Sequence, residues 1–207
     1  MKYDFPDNFF VTGTDTGVGK TFICALLTCG LEAGYWKPVQ SGSVDGLDSD
    51  FVCRASGMDK DRIIPERYVF KKPLSPHLAA AHENTEIELD EISLPSCSFP
   101  LIVEGAGGVL VPLNRRIQII HLIKKLDLSC IIVASHRLGV INHTLLTLQA
   151  LYRADVQVAG VILNNGINHD HKEAIEYYGN VRVLAQVERM DKVSPENMKK
   201  KFNELFL

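Results

Sequence analysis

A glycine-rich segment, Gly13–Thr21, has the clearest chemical potential in this sequence. It follows a short apolar run, and its last three residues, Gly-Lys-Thr, open a helical pattern. In such a strand–loop–helix unit, backbone N–H groups and the helix N-terminus face phosphate oxygens, a lysine reaches the β- and γ-phosphates, and a hydroxyl group binds Mg²⁺. The segment therefore predicts nucleotide binding. The residues expected to contact the nucleotide here are Gly17, Val18, Gly19, Lys20, Thr21 and Phe22.

The spacing of this segment is unusual in one respect. The common pattern has four residues between its first glycine and Gly-Lys, whereas here Gly13 lies one position early and Thr14 stands in the expected place. The alternative interpretation is a glycine-rich turn with an incidental lysine. The strand before the turn and the helix after it favour phosphate binding.

Carboxylates that could hold Mg²⁺ against phosphates follow other apolar runs. Glu104 comes after Leu101–Val103 and precedes Gly105-Ala106-Gly107, a pattern that predicts a metal ligand beside a nucleotide-contacting loop. Capping of a neighbouring helix is the alternative for Glu104. Asp50 is a second candidate, but it shares a polar stretch with Asp45 and Asp48, and any of the three could simply be solvated.

A lysine inside an apolar run is the next candidate. Lys37 lies in the predicted strand Tyr35–Val39, and a polar turn with Ser41 follows it. Such a lysine either extends its ammonium group to the surface or serves a ligand. The pattern alone favours neither interpretation.

These residues need a scaffold, and the alternation of short apolar runs with helical patterns predicts one of α/β class. We expect a P-loop NTPase-like, mostly parallel sheet with helices on both faces, in which ligands bind beyond the carboxyl ends of the strands. The interval 44–95 is the least regular and should form short helices. The predicted strands are Asn8–Thr12, Tyr35–Val39, Pro100–Glu104, Leu128–Ala134, Val156–Leu163 and Val181–Val187, and the predicted helices are Lys20–Ala33, Ile141–Ala154 and Pro195–Phe206.

Composition restricts the possible functions. The 207 residues, 46% hydrophobic and 23% charged, suit a single domain over residues 1–207. A net charge of −3 predicts no nucleic-acid partner, and the apolar runs are too short to span a membrane. The N-terminus lacks the apolar run of a signal peptide, so we expect a cytoplasmic protein whose five cysteines are reduced.

Several motifs, taken in order along the chain, resemble the dethiobiotin synthetase family of the biotin pathway. The phosphate loop with its Gly-Thr-Asp-Thr start and the Lys-Pro-Val strand beginning at Lys37 are the most specific of them. The remaining matches are Ser75–His77, Val103–Gly108 and Leu138–His143, the last followed by Leu146–Thr147.

The resemblance implies an ATP- and Mg²⁺-dependent cyclo-ligase acting on 7,8-diaminononanoate and CO₂. One amine would take up CO₂ as a carbamate, the carbamate would attack the γ-phosphate to give a mixed anhydride, and the second amine would close the ureido ring. Lys20 would stabilise the transferring phosphoryl group and Lys37 the carbamate. Thr16 and Ser41 would contact the diamine end of the substrate.

The resemblance also assigns the metal, the base and the far end of the substrate. Thr21, Asp50 and Glu104 would hold Mg²⁺, and Asn164 and Asn165 would contact the nucleotide base. The substrate carboxylate would bind at a helix N-terminus across the interface of a homodimer. The residues of that segment are Val140, Ile141, Asn142 and His143.

The chain departs from the family at two places. Many relatives carry an acidic residue where Gly17 stands. The interval 185–190 also lacks the proline turn with which relatives grip the purine, so we expect weaker or less selective purine binding.

A rival interpretation is a dimerising P-loop ATPase switch of the kind that positions septa or plasmids, with the amphipathic C-terminal helix docking on a membrane. Such proteins usually carry a second lysine early in the loop, where this chain has Thr14 and Asp15. A second rival, a related amidotransferase-linked synthetase without its glutaminase domain, would need a longer chain.

Overall fold

The apolar runs of the sequence form parallel β-structure in a computed structural model that describes residues 3–207. Within these residues the strands are β1 (Asn8–Gly13), β2 (Gly34–Trp36), β3 (Val39–Ser41), β4 (Ile63–Ile64), β5 (Tyr68–Phe70), β6 (Leu101–Gly108), β7 (Ser129–Ser135), β8 (Val158–Asn164) and β9 (Val183–Val187). Seven of them build one parallel sheet in the order β4-β2-β6-β1-β7-β8-β9. β1 lies at its centre, so the loop that follows β1 emerges at the middle of the carboxyl edge.

Helices cover both faces of the sheet, which confirms the predicted class. The α-helices of the described residues are α1 (Lys20–Leu31), α2 (Asp48–Ser56), α3 (Pro76–His82), α4 (Ile119–Leu126), α5 (Val140–Arg153), α6 (His169–Gly179) and α7 (Pro195–Phe206). Side chains of α1, α2 and α7 share one apolar core with one face of the sheet, and those of α3, α4, α5 and α6 share the other. The central strands are buried on both sides, which explains their continuous apolar runs.

The predicted strand Tyr35–Val39 is wrong as a single element. β2 ends at Trp36, and β3 begins at Val39 and pairs with β5 in a separate two-stranded sheet. Pro38 has no N–H group to continue the ladder, and its carbonyl oxygen accepts hydrogen bonds from the backbone of Arg67 and Tyr68 instead. Lys37 therefore lies at the break between two strands, beyond the carboxyl end of β2.

Two further predictions need correction. β6 continues past Glu104 to Gly108, so this carboxylate lies in the middle of a strand and not at its end. The sequence analysis also did not place α4, although its apolar residues Ile119, Leu122 and Ile123 recur at helical spacing and are buried. The irregular interval 44–95 does contain short helices, as expected, together with β4 and β5.

The C-terminal helix packs on the protein through its apolar stripe. Met198, Phe202 and Phe206 are at most 2% exposed, and the Phe202 ring fills the space beside Gly30 of α1. Burying each such side chain contributes roughly 1.5–3 kcal/mol. The packing interpretation of this helix is therefore confirmed over membrane docking. No helix within residues 3–207 combines the length and hydrophobicity needed to cross a membrane.

Candidate active site

The phosphate loop lies between the carboxyl end of β1 and the first turn of α1. Gly17 and Gly19 adopt left-handed backbone conformations with φ of 75° and 93°, and Gly19 is the N-cap of α1. Lys20 is 7% exposed, and its Nζ donates to the carbonyl oxygen of Asp15 across the loop at 3.1 Å. The lysine is thus held inside the ring of backbone groups that the sequence pattern predicts around a phosphate.

The early position of Gly13 has a steric reason. A Cβ atom at Gly13 would lie 2.8 Å from Cγ2 of Val18 and 2.9 Å from the carbonyl oxygen of Asp15. Only glycine permits this close approach of the two ends of the loop. Thr14, which follows, donates its backbone N–H to Val133 of the neighbouring strand β7.

Glu104 is the centre of the charged groups beside this loop. It is 1% exposed, and its Oε1 accepts hydrogen bonds from Thr21 Oγ1 at 2.9 Å and from Lys37 Nζ at 3.3 Å. Its Oε2 accepts from the hydroxyl group of Tyr35 at 2.9 Å. The structure therefore brings together three side chains that the sequence placed at the ends of different elements, and it adds Tyr35.

Lys37 forms ion pairs with two carboxylates, Glu104 and Asp48. Its side chain is 8% exposed, that of Glu104 is 1% exposed, and that of Asp48 is 32% exposed. Burial lowers the pKa of the Lys37 ammonium group, but the charges of Glu104 and Asp48 outweigh it, so that the pKa is raised. The ammonium group of Lys37 is therefore buried in an ion-pair network and does not extend to the surface, and its service to a ligand stays a prediction.

The pKa of Lys20, the second lysine of the site, is shifted in the opposite direction to that of Lys37. Burial lowers the pKa of Lys20, the nearby charge of Glu104 opposes this effect, and the charge of Lys37 adds to it. The difference arises because Lys37 touches two carboxylates, whereas Lys20 donates to a neutral carbonyl oxygen. An incoming anion would strengthen the charged form of Lys20.

The predicted metal ligands are not all close together. Thr21 and Glu104 are in contact, and their oxygen atoms suit Mg²⁺. Asp50 is exposed, and its Oδ2 accepts the backbone N–H of Leu47 at 3.4 Å, as part of the N-terminal cap of α2. Asp48, which the sequence analysis treated as one of three acids that could be solvated, is the carboxylate that reaches Lys37.

No cluster of three or more His, Cys, Asp or Glu side chains suited to a metal occurs in the described part of the chain. A Mg²⁺ ion at an ATP site takes part of its coordination from phosphates and water, so Thr21 and Glu104 fit such an ion without a larger cluster.

Cavities flank the N-terminal half of α5. One of about 370 Å³ lies between Thr14–Thr16, the interval Gly108–Pro112, and His143. A second, of about 530 Å³, is lined by Leu138–Asn142, Leu145, His171 and Tyr178. The predicted substrate residues thus line two cavities: Thr16 and His143 the first, and Val140, Ile141 and Asn142 the second. Ser41 ends β3, and its buried hydroxyl group has no hydrogen-bond partner within residues 3–207.

The predicted base contacts lie at the end of β8. Asn164 is buried, and its side-chain amide donates to the carbonyl oxygen of Val18 in the phosphate loop at 3.0 Å. Asn165 has a φ of 66°, and its amide donates to Ser135. In the interval 185–190, β9 ends at Val187 and an irregular segment follows. Weaker purine selectivity stays a prediction.

Two residues that contact the site, Tyr35 and Arg137, were not predicted from the sequence. Tyr35 lies two positions before Lys37, and the period of two in a strand would have placed both side chains on one face. Arg137 forms an ion pair with Asp15 of the phosphate loop, and this contact lowers the pKa of the Asp15 carboxyl group. Arg137 lies in the polar segment after β7, but no pattern in the sequence indicates its partner.

A parallel sheet with a lysine-containing glycine loop between β1 and α1 defines a P-loop nucleotide-binding protein. Known proteins agree with this class. A family model described as an AAA domain matches residues 7–197. The structure also resembles the crystal structure of a ParA family ATPase from Chlorobium tepidum TLS, with a TM-score of 0.57 over 96% of this chain and 89% of that one. The sequence identity of that pair is 12%, so the likeness concerns the fold alone.

Sequence relatives are more specific. The chain is 45% identical over 185 residues to an ATP-dependent dethiobiotin synthetase from Paramagnetospirillum magneticum, covering 89% of each chain. It is 46% identical over 178 residues to a second one, from Lawsonia intracellularis, covering 86% of each. The chain therefore belongs to the dethiobiotin synthetase family. These relatives favour the synthetase interpretation over the ATPase switch.

Proposed function

We propose that this protein is an ATP-dependent dethiobiotin synthetase, a ligase that converts 7,8-diaminononanoate, CO₂ and ATP into dethiobiotin, ADP and phosphate. The observation that carries the proposal is Lys37, a buried and charged lysine at the Glu104 centre beside the phosphate loop. An ATPase switch of the rival class usually carries its second lysine within the phosphate loop, and it has no need of a lysine at the position of Lys37. An anionic carbamate formed next to an anionic phosphate does need it.

The reaction has three steps. The lone pair of one substrate amine attacks CO₂ and gives a carbamate, with loss of a proton from nitrogen. A carbamate oxygen attacks the γ-phosphorus, the bond to the bridging oxygen breaks, and ADP leaves. The second amine attacks the carbamoyl carbon of the mixed anhydride, which closes the ring and releases phosphate and a proton. Both amines belong to one bound molecule, so proximity promotes the last step.

The lysines act as fixed positive charges. Lys20 is held in the loop where the transferring phosphoryl group is expected, and Lys37 faces the carbamate. The raised pKa of Lys37 suits it to electrostatic stabilisation and not to proton abstraction. Thr21 and Glu104 would hold Mg²⁺, and Asp50 would join them only after leaving the Leu47 N–H group. A bound Mg²⁺ supplies charge neutralisation on the phosphate oxygens.

The substrate would extend from Lys37 along the phosphate loop. Ser41 and Thr16 lie toward the diamine end, and the unpartnered hydroxyl group of Ser41 supports a polar contact there. The cavity of about 370 Å³ is lined largely by apolar residues and suits an aliphatic chain. The N-terminus of α5, within Gly139–His143, offers backbone N–H groups to the far carboxylate.

We further propose a homodimer in which α5 of each protomer completes the site of the other. Exposed apolar side chains support it, because monomers rarely expose large ones close together. They lie on and beside α5 and α6: Leu138, Leu146, Ile167, Tyr177 and Tyr178.

The test is product formation with purified protein, diamine, bicarbonate, ATP and Mg²⁺, followed by mass spectrometry of dethiobiotin. Lys37→Ala should lower kcat by roughly 10²–10³-fold, the size of effect seen when one stabilising group is removed from an anionic transition state. Lys124→Ala, an exposed lysine of α4, is the matched control. Absence of product from the wild type, or full activity of Lys37→Ala, would overturn the proposal.

A further inference from the structure

Asp48 has a role that the proposed function does not assign. Its carboxylate contacts the Lys37 ammonium group, so that this lysine is already neutralised from two sides. The two positive charges of Lys37 and Lys20 are balanced by the two negative charges of Glu104 and Asp48. An anionic carbamate that binds Lys37 therefore competes with these two carboxylates for the same positive charge, and it gains most where one of them moves away.

The two carboxylates are not equally able to leave. Glu104 lies in the middle of β6, is 1% exposed and accepts two further hydrogen bonds, from Thr21 and Tyr35. Asp48 is the first residue of α2, and its side chain is 32% exposed. Apart from Lys37, its contact in this region is a weak one at 3.5 Å between its backbone N–H and the side chain of Gln40.

The loop before Asp48 is exposed and contains two glycines, so few contacts oppose a change in its conformation. It joins β3 to α2, and it contains Gly42 and Gly46, both in left-handed conformations with φ of 79° and 109°. No atom lies within 4 Å of the position that a Cβ of Gly46 would take, and Val44 is 76% exposed. The same loop starts at Ser41, a proposed substrate contact, so its position and substrate binding are linked.

We propose that Asp48 is a positioning residue that competes with the substrate carbamate for Lys37. Before the substrate binds, Asp48 holds the Lys37 ammonium group in place through their ion pair. The carbamate then displaces Asp48 toward solvent while Glu104 stays. An anion that contacts only Lys37, such as free bicarbonate or phosphate, does not gain enough to displace it. This inference rests on the proposed function, because it needs an anion formed at Lys37.

The first experiment is calorimetry of diamine binding in bicarbonate buffer, with Mg²⁺ and a non-hydrolysable ATP analogue. Asp48→Asn should bind the diamine about tenfold more tightly than the wild type, since the competing charge is gone. Asp48→Glu keeps the carboxylate and should stay near the wild type. Asp45→Asn removes an exposed charge from the same loop and is the matched control. In steady-state assays, Asp48→Asn should lower the KM for bicarbonate and leave the KM for ATP unchanged.

The second experiment needs no substrate. A small acylating reagent modifies the Lys37 amine only when it leaves its ion pairs, and mass spectrometry gives the rate for each lysine. Modification of Lys37 should be several-fold faster in Asp48→Asn than in the wild type or Asp45→Asn, with the exposed Lys124 as the internal reference.

The outcomes separate this inference from the proposed function. Weaker diamine binding or a higher KM for bicarbonate in Asp48→Asn would show that Asp48 assists binding, and would overturn the competition. A loss of Mg²⁺ affinity would make Asp48 a metal ligand and overturn it as well. Equal Lys37 modification in all variants would contradict the ion pair. If the wild type makes no dethiobiotin while Lys37 modification still accelerates, the proposed function fails and the control of Lys37 by Asp48 stands.

Discussion

At the scale of single residues, the site depends on how a buried carboxylate finds hydrogen-bond partners inside a sheet. Glu104 is buried in β6, where an unpaired charge would be strongly destabilising. Three donors compensate for its burial: Thr21, Lys37 and the hydroxyl group of Tyr35. The arrangement also changes the titration of Tyr35. Burial and the negative charge of Glu104 raise the pKa of its hydroxyl group well above the ordinary value. Tyr35 therefore acts as a permanent donor.

Removing that donor gives the prediction at this scale. Tyr35→Phe leaves Oε2 of Glu104 without its hydrogen bond but keeps the ring in the core. We expect the free energy of unfolding to fall by about 1.5–3 kcal/mol, the usual contribution of a buried hydrogen bond to a charged group. Urea denaturation followed by circular dichroism measures it.

The matched control is Tyr152→Phe, which removes a hydroxyl group that donates to the carbonyl oxygen of Gly179 at 3.3 Å. This bond is longer, its acceptor is neutral, and the tyrosine is 43% exposed. Its loss should change the free energy of unfolding by less than about 1 kcal/mol. Equal losses in the two variants would contradict the special role of Tyr35.

Residue types and spacing predicted much of this centre. Lys20, Thr21, Lys37 and Glu104 were all candidates, and three of them meet at Glu104. The choice between Asp48 and Asp50 was not accessible, because it depends on where α2 begins. The helix starts at Asp48, so Asp50 lies at the third helical position and turns back to the Leu47 N–H group. The position at which α2 begins therefore determines that Asp48, and not Asp50, contacts Lys37.

At the scale of elements, the turn from β1 to α1 is the tightest constraint. Gly19 has a left-handed conformation, and a Cβ atom there would lie 2.1 Å from Nδ2 of Asn164 at the end of β8. That amide is itself fixed by a hydrogen bond to Val18. The phosphate loop and the predicted base-contacting residue are therefore in direct contact through this glycine.

Two alanine substitutions separate the effect of the left-handed backbone conformation on the free energy of unfolding from the effect of a steric clash. Gly19→Ala should lower the free energy of unfolding by roughly 2–4 kcal/mol, because an unfavourable backbone conformation and a steric clash add together. Gly17→Ala should lower it by only about 1–2 kcal/mol, since Gly17 has a φ of 75° but no atom within 4 Å of its Cβ position. Thermal or chemical denaturation without ligand gives both values. A Gly17→Ala loss as large as that of Gly19→Ala would contradict this explanation.

Elements were predicted well where their pattern was long and regular. The bounds of α7 were predicted without error. β1 differs by one residue at one end, and β7 and α5 differ by one residue at each end. The interruption at Lys37-Pro38 was missed because apolar residues continue on both sides of it, and only the absent N–H group of Pro38 signals the change of sheet. The positions of the short strands β4 and β5 were not accessible either, since two or three residues carry no periodicity.

At the scale of the whole molecule, the two faces of the sheet are covered differently. On one face α7 seals the core through buried aromatic residues. On the other, α5 and α6 carry apolar side chains outward as well as inward. Leu138, Tyr177 and Tyr178 are 101%, 81% and 70% exposed, and Leu138 and Tyr178 line the cavity of about 530 Å³ at the start of α5. Exposure of several large apolar side chains to solvent on one face is unfavourable, which supports the proposed dimer contact at this face.

The last prediction concerns this face. Wild-type protein should sediment at twice the 23.0 kDa mass of the chain, and Leu138→Arg should shift it toward the monomer because a charge would be buried in an apolar contact. Leu207→Arg, at the exposed leucine that directly follows α7 on the opposite face, should leave the mass unchanged. Sedimentation velocity at several protein concentrations measures both.

The dimer prediction extends to the active site, because the substrate carboxylate is expected at the α5 N-terminus of the partner. Leu138→Arg should therefore raise the KM for the diamine at least tenfold and leave ATP binding, which depends on the loop within one chain, nearly unchanged. A wild type that remains monomeric and binds the diamine normally would contradict both the dimer and the shared site. A monomeric variant with an unchanged KM would retain the dimer but place the carboxylate within one protomer, where the cavity beside Thr16 and His143 is the available space.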